Sequence, residues 1–203
     1  MPDIDDQTRK LAGIAYGEAS VDDDPDEIGG IAFAVANRCR AWGGKTVDQL
    51  LSADPNYTYA VSDGNARFGK LMSSSNAGVA KDPGMSLAVE WARKALVADG
   101  TDPSGGGFWW DGLDFKSNYA HHPKVRDGFR YGSPEHNIFD VPEARRPVTI
   151  WWQVKNKKTG QLVNSSVRGK YDAIWVSTAA HGHTIFWKHD PDYISATSGK
   201  VYR

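Results

Sequence analysis

The first predicted element is an amphipathic helix with a carboxylate near its end. Leu11, Ile14, Ala15 and Glu18 fall at positions i, i+3, i+4 and i+7, the spacing that places side chains on one face of a helix. The helix is expected to begin near Gln7. Glu18 therefore lies on the apolar face, close to the C-terminus of the helix.

A second helix is predicted from residues that commonly start one. Asp24 can act as the N-cap, Pro25 suits the first helical position, and Glu27 places an acid in the first turn. The helix is expected to continue through about Arg40, with apolar residues on one stripe and small residues elsewhere. Small residues let neighbours approach closely, so we expect this to be the buried central helix.

The next segment combines a short helix with turns. Thr46 can cap a helix that runs through Leu51. Residues 52–65 are rich in turn formers, with a brief extended core expected at 57–61. We interpret this segment as a structured loop.

A longer helix is predicted before residue 104. Residues 68–78 include a run of serines and lack clear periodicity, which favours a mobile excursion. Asp82 and Pro83 then start a helix, and Gly100 is its expected C-cap.

Short strands and loops follow residue 104. Glycines lead into an aromatic strand at residues 108–110, and residues 111–147 are expected to form loops. A strand, turn and strand are predicted over 148–167, and two more strands between 173 and 188. Helices first and a small C-terminal antiparallel sheet last indicate an α+β fold.

Composition limits the class of protein. A chain of 203 residues suits one domain, and a formal net charge of -1 provides no global field for binding nucleic acid or an anionic membrane. A mean hydropathy of -0.53 excludes residence in a membrane. The unusual feature is 8 Trp and 8 Tyr beside only 3 Met. Rings with polar edges suit sugar or peptide surfaces as well as cores.

Cysteine content and the N-terminus bear on location. The single Cys39 cannot form an intramolecular disulfide, and its position on the buried stripe of the second helix argues against a nucleophile. The N-terminal segment carries acids where a secretory signal needs basic residues. We expect synthesis in the cytoplasm without a classical signal peptide; cytosolic residence and delivery by a dedicated secretion machine both stay open.

Glu18 is the residue from which chemistry can best be argued. On an apolar face it loses hydration, and the carbonyl groups at the helix C-terminus add negative potential, so both effects favour the protonated acid that a general acid requires. The alternative is a carboxylate turned to solvent or paired with Arg38.

Three segments, in the same order, resemble the SleB-like cell-wall hydrolases, the family of spore-cortex lytic enzymes. They are Ala15-Tyr16-Gly17-Glu18-Ala19-Ser20 with the later Asn37-Arg38, then Tyr59-Ala60-Val61-Ser62-Asp63-Gly64, then Asp102-Pro103-Ser104-Gly105-Gly106 followed by Phe108-Trp109-Trp110. The closing segment His181-Gly182-His183-Thr184-Ile185-Phe186 resembles the family's last motif more loosely.

The resemblance implies a lysozyme-like helical core that cleaves peptidoglycan glycan strands. Glu18 would be the essential acid, and no cofactor is implied. The usual activity is lytic transglycosylation at the β-1,4 bond after N-acetylmuramic acid. The whole of 1–203 would be one domain, with core motifs in 7–110, an atypical insertion at about 111–175 and closing strands at about 176–190.

Further site residues come from the same motifs. Asp63 is the candidate second carboxylate, and as base for a water it would make the enzyme a muramidase; a tight turn in which Asp63 bonds its own backbone is equally compatible. Tyr59, Trp109 and Trp110 are candidate sugar-stacking walls, with core packing as the alternative. Neighbouring residues of a strand point to opposite faces, so at least one of the two tryptophans is expected to line a groove.

Other candidates are Ser62 and His183 for substrate contact. We predict no metal site, because a helix cap explains Asp24 and the histidine pairs 121–122 and 181–183 lack further ligands in a known pattern. The insertion could shape the groove, recognise the stem peptide or bind a partner.

The leading hypothesis is a peptidoglycan lytic transglycosylase or muramidase that acts on the bacterial cell wall, in the periplasm or in a target cell. Acting as a secreted effector, it would imply secretion machinery and a cognate immunity protein as partners; a phage lysin is the other delivery route. A non-catalytic glycan-binding module, or an amidase or peptidase using Cys39 or histidines, are the competing functions. Nucleic acid and membrane are not expected as partners.

Overall fold

A computed structural model describes residues 3–203 of the chain. The fold is α+β, as predicted, with most helices before the strands. The helices are α1 (Asp6–Glu18), α2 (Pro25–Ala41), α3 (Val47–Ala53), α4 (Ala66–Ser73), α5 (Asn76–Lys81), α6 (Pro83–Val97), α7 (Asp114–Ser117), α8 (Pro123–Asp127) and α9 (Pro191–Thr197). The strands are β1 (Trp109–Asp111), β2 (Phe129–Arg130), β3 (Val148–Lys155), β4 (Leu162–Tyr171), β5 (Trp175–His181) and β6 (Thr184–His189).

Helix starts follow the capping residues read from the sequence. Asp24 accepts a hydrogen bond of 2.8 Å from the backbone N–H of Glu27 at the start of α2. Thr46 and Gln49 form a reciprocal capping box at the start of α3. These bonds satisfy N–H groups that have no partner within the helix, so both predicted boundaries are confirmed.

The second helix is the buried centre of the helical half, as expected. It packs against α1 and α6, and its small residues bring neighbours into direct contact. A Cβ atom added to Gly29 would lie 2.7 Å from the Trp91 ring, and one added to Gly30 would clash with the Phe186 ring of β6. Glycine at these two positions therefore allows a helix and a strand to meet α2 closely.

Three local predictions are wrong. Residues 57–61 form turns and contain no strand. Residues 68–78 belong largely to α4 and α5, which begin at Asn65 and Ser75 through side-chain caps. The left-handed residue that ends α6 is Ala98 and not Gly100, which lies in the following loop.

The main sheet has four strands in the order β1-β6-β5-β2. Strands β5 and β6 are antiparallel, as predicted, and β1 pairs antiparallel with β6 along the edge. The two-residue strand β2 pairs parallel with β5. This sheet places the aromatic segment of β1 beside the end of α1.

Two hydrophobic clusters flank the main sheet. One fills the helical half around α1, α2 and α6, and includes Phe186. The other contains Phe115, Phe129 and Trp187, all of them fully buried. Much of this second cluster comes from residues 111–147. The expectation that this segment forms only loops is wrong, because it contains the short helices α7 and α8 and the strand β2 and contributes to the core.

Strands β3 and β4 form a separate hairpin, which we call the arm (Val148–Tyr171). The predicted strand, turn and strand are confirmed. The base of the arm packs on α9, where Gly169 meets Ala196 and the Tyr171 and Tyr193 rings are 5.2 Å apart. Side chains along most of the arm are exposed.

Across residues 3–203, the helices all fall short of the length and apolar character needed to cross a membrane.

Candidate functional site

The carboxylate of Glu18 lies where α1 ends, against the loop that follows α3. Its Oε1 atom accepts hydrogen bonds from the Thr58 hydroxyl and, at 2.8 Å, from the Ala60 backbone N–H. Its Oε2 atom lies 3.4 Å from the indole nitrogen of Trp110. Glu18 is half-buried, so one side of the carboxylate is fixed by the protein while the other stays accessible.

The segments that resemble the wall hydrolases meet at this site. The loop of residues 59–64 follows Thr58, and β1 supplies Trp110. The Asn37 side chain donates to Asp102 at 2.8 Å and to the Gly107 carbonyl at 3.1 Å. Asn37 therefore anchors the turn that leads into β1, and holds the aromatic strand beside Glu18.

Arg38 is not the partner of Glu18. Its guanidinium forms an ion pair with Asp54 at 2.7 Å and lies over the rings of Tyr57 and Trp109, at 4.3 and 4.9 Å from their centroids. The alternative in which Glu18 pairs with Arg38 is therefore wrong. Arg38 instead packs between two aromatic residues of the cavity wall.

Glu18 lines two adjoining cavities. The larger has a volume of about 510 Å³ and an aromatic wall. The smaller, of about 350 Å³, lies between the chain after α1 and the turn before β6. Glu18 and Gly112 belong to both. An open groove thus continues on each side of the carboxylate.

The predicted aromatic residues are in the larger cavity. Tyr59 is exposed at its rim, and Trp109 and Trp110 both reach its wall although they point to opposite sides of β1. Trp110 packs edge-on against Tyr57, with ring centroids 5.3 Å apart. Trp175 forms part of the same wall. The expectation that at least one tryptophan of the pair lines a groove is confirmed for both.

A second glutamate, Glu27, connects the two walls of the smaller cavity through hydrogen bonds. Glu27 is 1% exposed and accepts four hydrogen bonds. Two come from the backbone N–H and hydroxyl of Ser20, one from the His183 backbone N–H and one from the Thr184 hydroxyl. Glu27 therefore joins the segment after Glu18 to the turn between β5 and β6.

The two C-terminal histidines have different positions. His183 lines the smaller cavity, and its Nε2 atom lies 3.2 Å from a carboxylate oxygen of Asp22. His181 lies instead within 2.9 Å of the Pro103 carbonyl. His183 is thus available to a ligand near Glu18, whereas His181 supports the turn before β1.

Asp63 and Ser62 lie outside both cavities. Asp63 is exposed and accepts a hydrogen bond of 3.0 Å from the Asn65 backbone N–H. Gly64 has a φ of +79°, which a glycine adopts without strain. Ser62 is exposed, and its hydroxyl is 3.5 Å from the Tyr59 carbonyl. The tight-turn interpretation accounts for the contacts of Asp63.

Besides Glu18, the larger cavity is lined by the exposed Asp114 and by Asp111, at the end of β1. The Asp111 carboxylate lies 2.8 Å from the Lys124 ammonium and 3.4 Å from His122 Nε2. Burial alone would raise the pKa of Asp111, but Lys124 and His122 outweigh burial and hold that pKa below its usual range. Asp111 is therefore an ionised carboxylate that is already paired.

Asp111, Asp114 and His122 are close enough together to be considered as metal ligands. The Lys124 backbone N–H points at His122 Nδ1, 3.3 Å away. Because Nδ1 accepts this hydrogen bond, the proton of the ring is on Nε2, which faces Asp111 and so has no lone pair for a metal. The ammonium group of Lys124 also competes for Asp111. The residues present fit an ion-pair network better than a metal site.

Cys39 is buried, and burial raises the pKa of its thiol to about 11. A thiolate is the nucleophilic form of cysteine, and this position disfavours it. The sequence argument against a cysteine nucleophile is therefore strengthened.

Several residues of the site carried no recognisable sequence signal. Thr58 stands in a loop between two tyrosines, and Asp111 was expected to begin a loop. Lys124 on α8 and His122 just before it line the larger cavity. Both belong to the part of the chain interpreted as an insertion. For Asp111 the one available signal was its position in the chain, directly after Trp110.

No protein-family model matches the chain, and neither the curated proteins nor the solved structures include a match. The likeness to SleB-like hydrolases therefore rests on the short motifs quoted above.

Proposed function

We propose that the protein cleaves peptidoglycan glycan strands, as a lytic transglycosylase or muramidase with Glu18 as general acid and base. The observation that carries this proposal is the position of Glu18 between two open cavities. An enzyme that cuts inside a polymer needs room for sugars on both sides of the bond. The tryptophan and tyrosine rings suit the apolar faces of hexoses.

The chemistry needs one carboxyl group. Protonated Glu18 gives its proton to the glycosidic oxygen as the bond from that oxygen to the muramic C1 atom breaks. The resulting carboxylate then takes the proton of the muramic C6 hydroxyl, whose oxygen bonds to C1. A 1,6-anhydro ring is formed, and Glu18 regains its proton.

The surroundings of Glu18 suit this exchange. The Thr58 hydroxyl can donate to a carboxylate or accept from a carboxylic acid, so it can remain bonded in both states. The Trp110 N–H faces Oε2 and can bind the carboxylate that forms on proton transfer.

Transglycosylation and hydrolysis are the two outcomes that this chemistry allows. A hydrolase of this kind places a second carboxylate to activate a water. Asp111 shares the cavity with Glu18 but is engaged by Lys124 and His122, and Asp63 lies in a turn outside it. Asp114 and Asp22 also line the two cavities and are exposed, with Asp114 3.9 Å and Asp22 3.2 Å from the nearest histidine nitrogen. The products of digestion therefore distinguish attack by the sugar hydroxyl from attack by a water that one of these carboxylates activates.

The test is Glu18→Gln, which preserves the shape of the side chain. We expect the variant to have the same melting temperature as the wild type and to release no soluble fragments from purified sacculi. Mass spectrometry of the wild-type digest should give 1,6-anhydromuramic ends. Glu90→Gln on the exposed face of α6 is the matched control and should digest sacculi at the wild-type rate.

Other products would identify other functions. Reducing muramic ends would indicate a muramidase, and freed stem peptides an amidase or peptidase. Full lysis by Glu18→Gln would refute the role of Glu18. Binding of sacculi without any product would indicate a glycan-binding module.

A further inference from the structure

The arm concentrates positive charge in a nearly neutral protein. Between Val148 and Tyr171 the chain has five basic residues and no acidic one, Lys155, Lys157, Lys158, Arg168 and Lys170. The arm therefore carries a formal charge of +5 and the rest of the chain -6, within a total of -1. Three of the lysines lie at or beside the turn at its tip. The field of the arm is thus that of a binder of anions.

Apolar side chains are exposed on both faces of the arm. The register pairs Trp151 with Val167 on one face and Val154 with Val163 on the other. Trp152 lies on the same face as Val154, two residues away, and is 54% exposed; Trp151 is 42% exposed. The Arg168 guanidinium lies 4.9 Å from the Trp152 ring centroid, so each face combines an indole with aliphatic side chains.

Basic side chains continue at the base of the arm. A cavity of about 740 Å³ there is lined by Arg130, Arg145 and Lys170. Arg145 is paired with Asp172 and Arg130 with Asp190. Lys170, already counted in the arm, lines the same cavity together with Asp172 and Asp192. The carboxylates thus balance the arginines at the base, and the net positive charge of the arm lies towards its tip.

We propose that the arm binds the peptidoglycan polymer itself, with its indole rings stacked on sugars and its lysines paired with stem-peptide carboxylates. The polymer is taken from the proposed function, but binding by the arm does not require cleavage. A flat bilayer could contact only one face of the arm, whereas strands of a mesh can pass along both. A symmetric arm-to-arm dimer would bring one +5 arm towards another, which is repulsive. Docking of the arm on the remainder of a second copy, which carries -6, is an outcome that sedimentation velocity tests.

The test measures binding of the full chain to purified sacculi by co-sedimentation, in the Glu18→Gln background. Replacing Trp151 and Trp152 together by Thr keeps strand-forming residues and removes both rings. We expect at least about a tenfold loss of affinity, the scale of losing aromatic anchors at an interface. Both positions are exposed, and a matching unfolding midpoint will show that the fold is retained.

Charge is tested separately at the tip. Lys157→Gln with Lys158→Gln should weaken binding severalfold at low salt and reduce its salt dependence. Lys81→Gln with Lys200→Gln removes the same charge elsewhere and should bind as the parent does. Sacculi stripped of stem peptides should bind both lysine double variants equally.

Several outcomes would overturn the proposal. The first is that the parent and the tryptophan double variant co-sediment equally with sacculi. The second is that the protein binds vesicles of anionic and zwitterionic phospholipid as tightly as it binds sacculi. The third is an arm-dependent dimer in sedimentation velocity. Cleavage of short soluble glycan fragments should be unaffected by the arm substitutions in the active protein. If no glycan is cleaved, the proposed function fails while the binding result stands.

Discussion

The substitution Glu27→Gln tests whether the buried glutamate joins the two walls of the smaller cavity. In the wild type, Oε2 accepts from the N–H and hydroxyl of Ser20, at 3.2 and 2.5 Å. Oε1 accepts from the His183 N–H and the Thr184 hydroxyl, at 3.2 and 2.7 Å. A glutamine can offer an oxygen to only one of these two pairs.

The cost follows from the donors that face the amide nitrogen. A hydroxyl can turn and accept from the amide, but a backbone N–H cannot, so one partly buried N–H, that of Ser20 or of His183, loses its partner. Leaving such a group unsatisfied costs about 1–3 kcal/mol. Removing the charge relieves some desolvation, but it also weakens the two bonds that remain. We therefore expect a net destabilisation of about 2 kcal/mol.

The assay is urea unfolding at pH 7 and 25 °C, followed by tryptophan fluorescence. Glu90→Gln is the matched control, because Glu90 is exposed and pairs with Lys94 one turn along α6. An exposed pair of this kind contributes about 0.3–0.5 kcal/mol. A Glu27→Gln variant no less stable than Glu90→Gln would refute the assigned role of Glu27.

Two further predictions concern Trp110 and His189. Trp110→Phe keeps a ring but removes the N–H that faces Glu18; we expect about a tenfold lower rate of glycan cleavage with an unchanged unfolding midpoint, as suits the loss of one hydrogen bond to a charged group. Burial lowers the pKa of His189 from 6.5 to about 4, so between these values the unfolded chain binds a proton that the native protein does not. Stability should therefore fall by up to roughly 3 kcal/mol as the pH drops from 6.5 to 4. In urea titrations at several pH values, His189→Gln should show a smaller fall, and an unchanged slope would contradict this account.

Helices with strong caps and long apolar stripes could be predicted from the sequence. The central helix and its start at Asp24 agree with the structure. Helices α4 and α5 were missed because each is short and has one fully buried apolar residue, Leu71 and Val79 respectively. One apolar position cannot display a period, and only the caps at Asn65 and Ser75 remained as signals.

The site was predicted in part. Glu18, Tyr59, Trp110 and His183 line the adjoining cavities, as the motifs suggested. Asp63 stands only a few residues from Tyr59, but its turn directs it to solvent. Sequence distance is therefore a poor guide within a turn-rich loop, where neighbouring side chains can point in different directions.

The tryptophans show that local sequence alone does not predict which aromatic residues of a strand stay exposed. Trp187 and Trp109 are paired in the sheet, and both are large aromatic residues in strands. Trp187 is fully buried because the Phe115 and Phe129 rings cover its face of β6. Trp109 lies on an edge strand and reaches the cavity, and Trp152, in a hairpin outside the main sheet, is exposed. Trp175 also lines the cavity although β5 has a neighbour on each side. A ring is available to a ligand where other elements leave its face of the sheet uncovered, and that depends on long-range packing which local hydrophobic patterns do not encode.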